Sequence, residues 1–298
     1  MLAFKPIELG DKELFESYTL CYNYHNLEAS FANIFIWRRM FNTVMAVDDI
    51  AMYLYLESET GPFMLPPFPN DCDRNIGEAL SRAEAFMISL GERPKLRGVT
   101  DEIRQKIERD CPGRYVFTED RGNFEYVYNS KDLAELTGKK YHGKRNHINN
   151  LLSAHATRYR RYTSADYDEC IRLFTVWAQS KGGMTQSYKN ELAAIKDALE
   201  HMDKLGLTGG LLYVDGKLEA FTIGERFGSD MAIIHIEKAN PLIQGTYALI
   251  NREFVKNEWY YLKYINREED MGIEGLRKAK LSYHPVFLLE KFNGIRSG

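Results

Sequence analysis

Cysteine is scarce and scattered: 298 residues hold four, Cys21, Cys72, Cys111 and Cys170, with no Cys-x-x-Cys pair and no histidine at ligand spacing. That excludes a dense disulfide scaffold, gives no zinc motif and hence no metal site to expect, and makes reduced thiols the default. Long apolar runs are missing too, since none approaches the roughly 20 residues needed to cross a bilayer. The opening MLAFKPIELGDKELF turns acidic and amphipathic at once, without a basic segment leading into an apolar one. No leader peptide is read there, and a cytoplasmic location is the expectation. Nor does one charge dominate: 39 Lys and Arg stand against 42 Asp and Glu, a net of -3. No global field draws nucleic acid to the surface, so any polyanion site has to be local.

What is present describes a folded protein of about two domains, at roughly 150 residues each. Hydrophobic residues make up 44% and charged residues 27% of the chain, close to ordinary globular usage. The first half reads as mixed α/β. Asp11–Leu20 has helical spacing after a capping Asp. Strand signals follow at Asn33–Trp37, Thr43–Val47 and Met52–Leu56, the last two joined by an Asp48-Asp49 turn. Ile76–Leu90 and Asp101–Arg109 are helical, and Tyr115–Tyr128 is read as a hairpin.

Between Lys139 and Arg161 the composition changes. Lys139, Lys140, Lys144, Arg145, Arg158, Arg160 and Arg161 meet no acidic residue in that stretch. Tyr141–Leu152 is predicted as a helix burying Tyr141, Ile148, Leu151 and Leu152, which sets Arg145 beside the apolar stripe. Two readings stay open: a solvated connecting helix, or a phosphate-facing lip with Arg145 in it.

The second half has a more regular rhythm. Thr157–Tyr162 is strand-like, while Ala165–Ala178 and Tyr188–Leu205 are helix-like. Gly210–Val214 and Leu218–Gly224 form a hairpin about Asp215-Gly216. Then come a strand at Met231–Ile236, a helix at Thr246–Trp259, a strand at Leu262–Ile265, a helix at Gly272–Tyr283 and a last strand at Val286–Glu290. The order is βααβββαβαβ. The division expected is a first domain over 1–135, a basic connecting helix over 136–156 and a second domain over 157–298.

That order resembles the acyl-CoA N-acyltransferase (GNAT) fold. The stretches YHGKRNHINN, IEKANPLIQGTYALIN, YINREEDMGIEGLRKAKLSYHP and SFANIFIW are similar to a bacterial family related to the C-terminal domain of phosphatidylglycerol lysyltransferase. The resemblance covers almost the whole chain. It implies an α/β fold of mixed sheets in two tandem GNAT-like domains, distantly like the Fem peptidyltransferases, with the first a degenerate copy. It also implies an acyl- or aminoacyl-transferase whose donor carries phosphate, either acyl-CoA or aminoacyl-tRNA. The acceptor would be an amine or hydroxyl on a small molecule, or on a peptide or lipid precursor.

On this fold, donor phosphates are expected at the start of the helix after the fourth strand, here Gln244, Gly245, Thr246 and Tyr247. A single glycine replaces the usual glycine-rich spacing, and a plain turn and cap is the other reading. Acyl transfer needs a base and an oxyanion stabiliser. A period of two puts His235 and Glu237 on one face of their strand. Glu237 is the preferred base, or else a carboxylate paired with Arg267 or Lys238, and His235 is a core histidine or a base. Asn266 is a candidate to hydrogen-bond the donor, Arg267 to hold its phosphate. By the resemblance, Gly275–Pro285 brings Arg277 and Lys280 to donor or acceptor. Charge compensation at a helix C-terminus is the alternative. Opposed to all these enzyme readings is a non-catalytic ligand-binding module on the same scaffold.

Overall fold

The computed structural model describes residues 2–19 and 26–298, and Leu20 and Cys21 lie outside them. The chain forms two compact units that are not consecutive halves. One comprises Met1–Glu125, Glu269–Ile273 and Leu289–Gly298, the other Tyr126–Glu268 and Glu274–Leu288.

The first unit is built on strands β1 (Lys5–Pro6), β2 (Val44–Val47), β3 (Ala51–Ser58), β4 (Gly61–Met64), β5 (Phe68–Pro69), β6 (Lys95–Thr100) and β7 (Tyr115–Glu119). Its helices are α1 (Lys12–Thr19), α2 (Phe31–Trp37), α3 (Gly77–Ser89) and α4 (Asp101–Asp110). Segment 31–37 is thus a helix where β-branched and aromatic residues predict a strand. The Ser30 hydroxyl accepts the Asn33 N–H as an N-cap, and Phe31, Ala32, Ile34, Phe35 and Ile36 are all buried. A helix buried nearly all round shows no amphipathic period.

The second unit opens with β8 (Glu125–Asn129) and continues through β9 (Thr157–Arg161), β10 (Leu207–Val214), β11 (Lys217–Phe227), β12 (Met231–Ala239), β13 (Tyr264–Asn266) and β14 (Phe287–Leu289). The helices are α5 (Ser130–Glu135), α6 (His142–Ala154), α7 (Tyr167–Ser180), α8 (Gln186–Glu200), α9 (Met202–Leu205), α10 (Thr246–Phe254) and α11 (Glu274–Leu281), with a π-helical turn over Val255–Trp259 after α10. The sheet order is β14-β8-β13-β12-β11-β10-β9. The predicted hairpin over 115–128 is therefore absent, because β7 and β8 join different sheets.

A final strand, β15 (Lys291–Arg296), returns to the first unit between β6 and β7 and completes the order β1-β2-β3-β4-β6-β15-β7, with β5 paired to β3. It adds Phe292 to a core of Tyr53, Leu80, Met87, Leu96 and Ile103. Two mixed sheets with helices against them make the α/β class plain. Of the cysteines, Cys111 and Cys170 are free. Cys72 is disulfide-bonded, which corrects the expectation of reduced thiols throughout. Among the described residues, no helix is long and apolar enough to cross a membrane.

Candidate functional site

Strand β12 sets the site. It runs parallel to β13 only through Met231–Tyr264, Ala232–Ile265 and Ile233–Asn266. Beyond Ile233 it continues to Ala239 beside β11 alone, so the sheet parts between β12 and β13. Within the same stretch the β11–β12 register slips. Ile223 faces Ile236 and Gly224 faces Ile234, leaving His235 without an opposite residue. This β-bulge reverses the alternation. Before it Ala232 and Ile234 face the core that holds α10, and after it Ala239 does. Glu237 likewise reaches Asn251 of α10. His235 and Glu237 consequently do not share a face and bind different partners, contrary to a regular period of two.

Glu237 stands where the strands part. One oxygen accepts from Arg267 Nη2 at 2.9 Å, the other from Asn251 Nδ2 at 2.9 Å. The guanidinium of Arg267, immediately after β13, lies 4.6 Å from the Tyr283 ring centre and 5.6 Å from that of Tyr128. Burial opposes its charge, but Glu237 and the two tyrosines outweigh burial and hold the guanidinium above its ordinary pKa. Lys144 of α6 reaches the same Tyr283 ring, its Nζ 3.9 Å from the centre. Burial first, and the Arg267 charge second, bring the Lys144 amine down to about 8 against the pull of Glu237.

A second buried cluster fixes the chain just past Arg267. The His235 side chain is fully enclosed, with Nδ1 2.9 Å from Glu268 and Nε2 3.0 Å from Glu225. Burial alone would lower its pKa, but hydrogen bonds to the two carboxylates push the imidazole up to about 9. Glu268 sits at φ +60°, a conformation an ordinary side chain adopts only when its surroundings enforce it.

Three sequence-predicted residues are engaged by backbone. Asn266 is fully buried and its Oδ1 accepts the Glu268 N–H at 2.9 Å. Lys280 donates to the carbonyls of Arg267 and Glu268. Arg145 donates to the carbonyls of Leu136 and Gly138. Arg277 is half-buried on α11. At the start of α10, Gln244 is exposed and Tyr247 half-buried. Thr246 is buried, and its hydroxyl donates to the carbonyls of Asn240 and Ile243. Gly245 has φ +96°, and a Cβ there would lie 2.5 Å from the His147 carbonyl oxygen. Glycine is what lets this helix start approach α6 so closely.

Three of the seven cations in the stretch meet acids that lie outside it. Lys140 meets Asp132, Arg160 meets Asp166, and Arg161 meets Glu258. Sequence reasoning did not single out Asn251; it took Tyr283 only as part of the Gly275–Pro285 pattern and Lys144 only as one cation of the basic cluster. For Lys144 a signal existed: it is three residues after Tyr141 and four before Ile148, on the stripe that is buried. Away from this cleft, Asp197, Glu200 and His201 at the end of α8 bring one ligand atom each within 4.8 Å of one another. The Tyr167 hydroxyl already donates to Glu200 at 2.9 Å.

The strand order, the bulge and the parting of β12 from β13 define a GNAT-type fold, present here as two tandem α/β units. A tandem GNAT protein from the clavulanic acid biosynthesis pathway superposes with TM-score 0.52 at 10% identity, over 100% of this chain and 99% of that one. L-PGS from Bacillus licheniformis superposes with TM-score 0.65 at 14% identity, over 96% and 92%. Closer is a conserved protein of unknown function from Bacteroides thetaiotaomicron, 35% identical over 100% of both chains with TM-score 0.92. The family model described as phosphatidylglycerol lysyltransferase, C-terminal, matches residues 21–293, and the chain belongs to that family. Uncharacterized protein MYCGA3080 of Mycoplasmoides gallisepticum is 24% identical over 172 residues, 56% of this chain and about half (54%) of that relative's length.

Proposed function

We propose that the second unit is an acyl- or aminoacyl-transferase centre that moves the acyl group of a phosphate-bearing donor onto an amine or hydroxyl. The observation that carries this reading is the parting of β12 from β13 with Glu237 held at the opening by Arg267 and Asn251. A carboxylate fixed from both sides is oriented to take a proton from an acceptor entering between the strands, directly or through a water. The acceptor nitrogen or oxygen then attacks the donor carbonyl, and the donor's thiol or ribose hydroxyl leaves.

The tight approach of Gly245 to α6 and the buried Thr246 favour a donor that does not depend on a glycine-rich pyrophosphate cradle. Aminoacyl-tRNA, the donor implied by the lysyltransferase resemblance, is accordingly the first to test, and acyl-CoA the second. Gln244–Tyr247 and Arg277 are proposed to meet donor phosphate at the rim. Asn266, Lys280 and Arg145 are assigned to holding the loops around the cleft. The crowded α10 start is also what favours the second reading, a ligand-binding module without turnover.

Calorimetric titration of the purified chain with aminoacyl-tRNA and with acyl-CoA tests the first reading. Binding of one of them is expected, with transfer to an acceptor lowered roughly 10²–10⁴-fold in Glu237→Gln. No heat with either donor overturns it. Binding without turnover, unchanged in Glu237→Gln, selects the module. If tRNA is the donor, charge reversal at exposed Lys139 and Arg158 weakens binding and flattens its salt dependence.

A further inference from the structure

Two cations in the second unit share one aromatic ring and are left with donors to spare. Arg267 spends Nη2 on Glu237. Its Nη1 is buried and has no hydrogen-bond partner among the described residues, in a side chain only 13% exposed. Buried guanidinium N–H groups in native proteins nearly always have an acceptor, so an orphaned one marks a place that water or a ligand fills. Lys144 Nζ rests over Tyr283, 3.9 Å from its centre, and makes no ion pair among the described residues. The groups facing it are Tyr283 ahead of β14, Arg267 after β13 and Glu237 on β12. Its own helix adds His142, Arg145 and His147. Two cations against one carboxylate leave one positive charge over, in a place where charge is poorly screened.

We infer that Lys144 and Arg267 form an oxyanion-binding site beside Tyr283, taking a carboxylate or phosphate-ester group of the substrate. The site deepens the transferase reading and rests on it only in calling the bound molecule a substrate. The orphan Nη1 donates one hydrogen bond and the Lys144 ammonium a second, both charge-assisted. Glu237 keeps its own bonds to Nη2 and to Asn251, and its remaining lone pairs are left for the acceptor's N–H or O–H. An acceptor with an acidic group near its nucleophile fits this arrangement, and so does a phosphate next to the donor's acyl carbon.

The test uses the full chain, with sodium acetate and inorganic phosphate as separate probes at constant ionic strength against a chloride control, read as ligand-dependent melting shifts. At least one probe is expected to raise the midpoint at pH 7, and acetate alone or phosphate alone identifies the acceptor-like or donor-like source. The apparent affinity for acetate, which stays fully ionised in this window, should fall between pH 7 and pH 9 as the Lys144 amine loses its proton. Lys144→Met should weaken binding about tenfold, as loss of one charge-assisted contact does, and abolish that pH dependence. Arg267→Lys, which retains charge but not the second N–H fork, should weaken it while Glu237 stays paired. Failure of both anions to shift the wild type, or a Lys144→Met protein with unchanged affinity and pH profile, overturns the site. The two readings separate cleanly: anion binding without acyl transfer refutes the transferase, and transfer with no anion response refutes only this site.

Discussion

Two lysines, a buried one in the first unit and a half-buried one in the second, are driven in opposite directions. Lys291 of β15 is enclosed in the first unit, its side chain 2% exposed, and its Nζ meets Glu28 and Glu125, the latter at 2.5 Å. Burial opposes its charge, but the two carboxylates outweigh burial and raise its pKa. Lys144 in the second unit has a tyrosine ring and a neighbouring arginine instead, and its pKa falls to about 8. The same side chain is part of a closed ion-pair cluster in one setting and a cation without an ion pair among the described residues in the other. What separates them is the supply of carboxylates: the first unit spends two acids on one cation, whereas the second spends one acid, Glu237, across two. The first cluster leaves one negative charge over and holds its lysine charged; the second leaves one positive charge over, which is what the proposed anion would neutralise.

The sharpest way to break this contrast is Lys291→Met. Glu125 is fully buried and would lose its contact with the Lys291 ammonium, so denaturant unfolding should show a loss of about 3–5 kcal/mol; a loss below about 1 kcal/mol would make the cluster incidental. His235 comes next. Its pKa is raised from 6.5 to about 9, so its contribution is fully present below about pH 6.5 and disappears as pH rises through 9. Relative to His235→Gln, the wild type should lose on the order of 3 kcal/mol across that window, and parallel pH curves for the two proteins would contradict it.

Gly245→Ala combines a positive φ with a Cβ 2.5 Å from a carbonyl oxygen, and thermal unfolding should register about 1–3 kcal/mol lost. Lys144→Met should have the opposite sign. With the folded pKa near 8 and the unfolded one near 10.5, the folded state binds fewer protons between those values. Wild-type stability therefore gains from this group as pH rises from 8 to 10.5, and below 8 the charge costs about 1 kcal/mol once solvent screening is allowed for. Unfolding at pH 7 should find Lys144→Met as stable as wild type or slightly more so, and a clear loss would contradict the assignment. Ser30→Ala should cost a similarly modest amount, about 1 kcal/mol for the lost cap of α2, read by thermal unfolding.

Much of the second unit was legible because its elements alternate half-buried strands with amphipathic helices. Periodicity gave their order, and Glu237 paired with Arg267 was among the readings of the strand residues. What stayed hidden was of three physical kinds. Helix α2 is buried on nearly every face and carries no period. The return of β15 to the first sheet, and with it the Lys291 cluster, depends on pairing between residues such as Phe292 and Val99 that lie far apart in the chain. The bulge at His235 shifts alternation by one residue, which hydrophobic patterning cannot register when Ile233, Ile234 and Ile236 are apolar on both faces. The step from Arg145 to Lys144 is of the same sort, a one-residue phase on a helix whose stripe ends at Leu151 while Leu152 is exposed.

The central claim is that acyl transfer takes place where β12 leaves β13, with the donor at the rim and the acceptor between the strands. Hydrogen–deuterium exchange on the full chain, with and without saturating aminoacyl-tRNA or acyl-CoA, tests it most directly. The account predicts protection at 234–239, 244–250 and 264–268 with one of the two donors. Donor binding that leaves those three segments unprotected would contradict it.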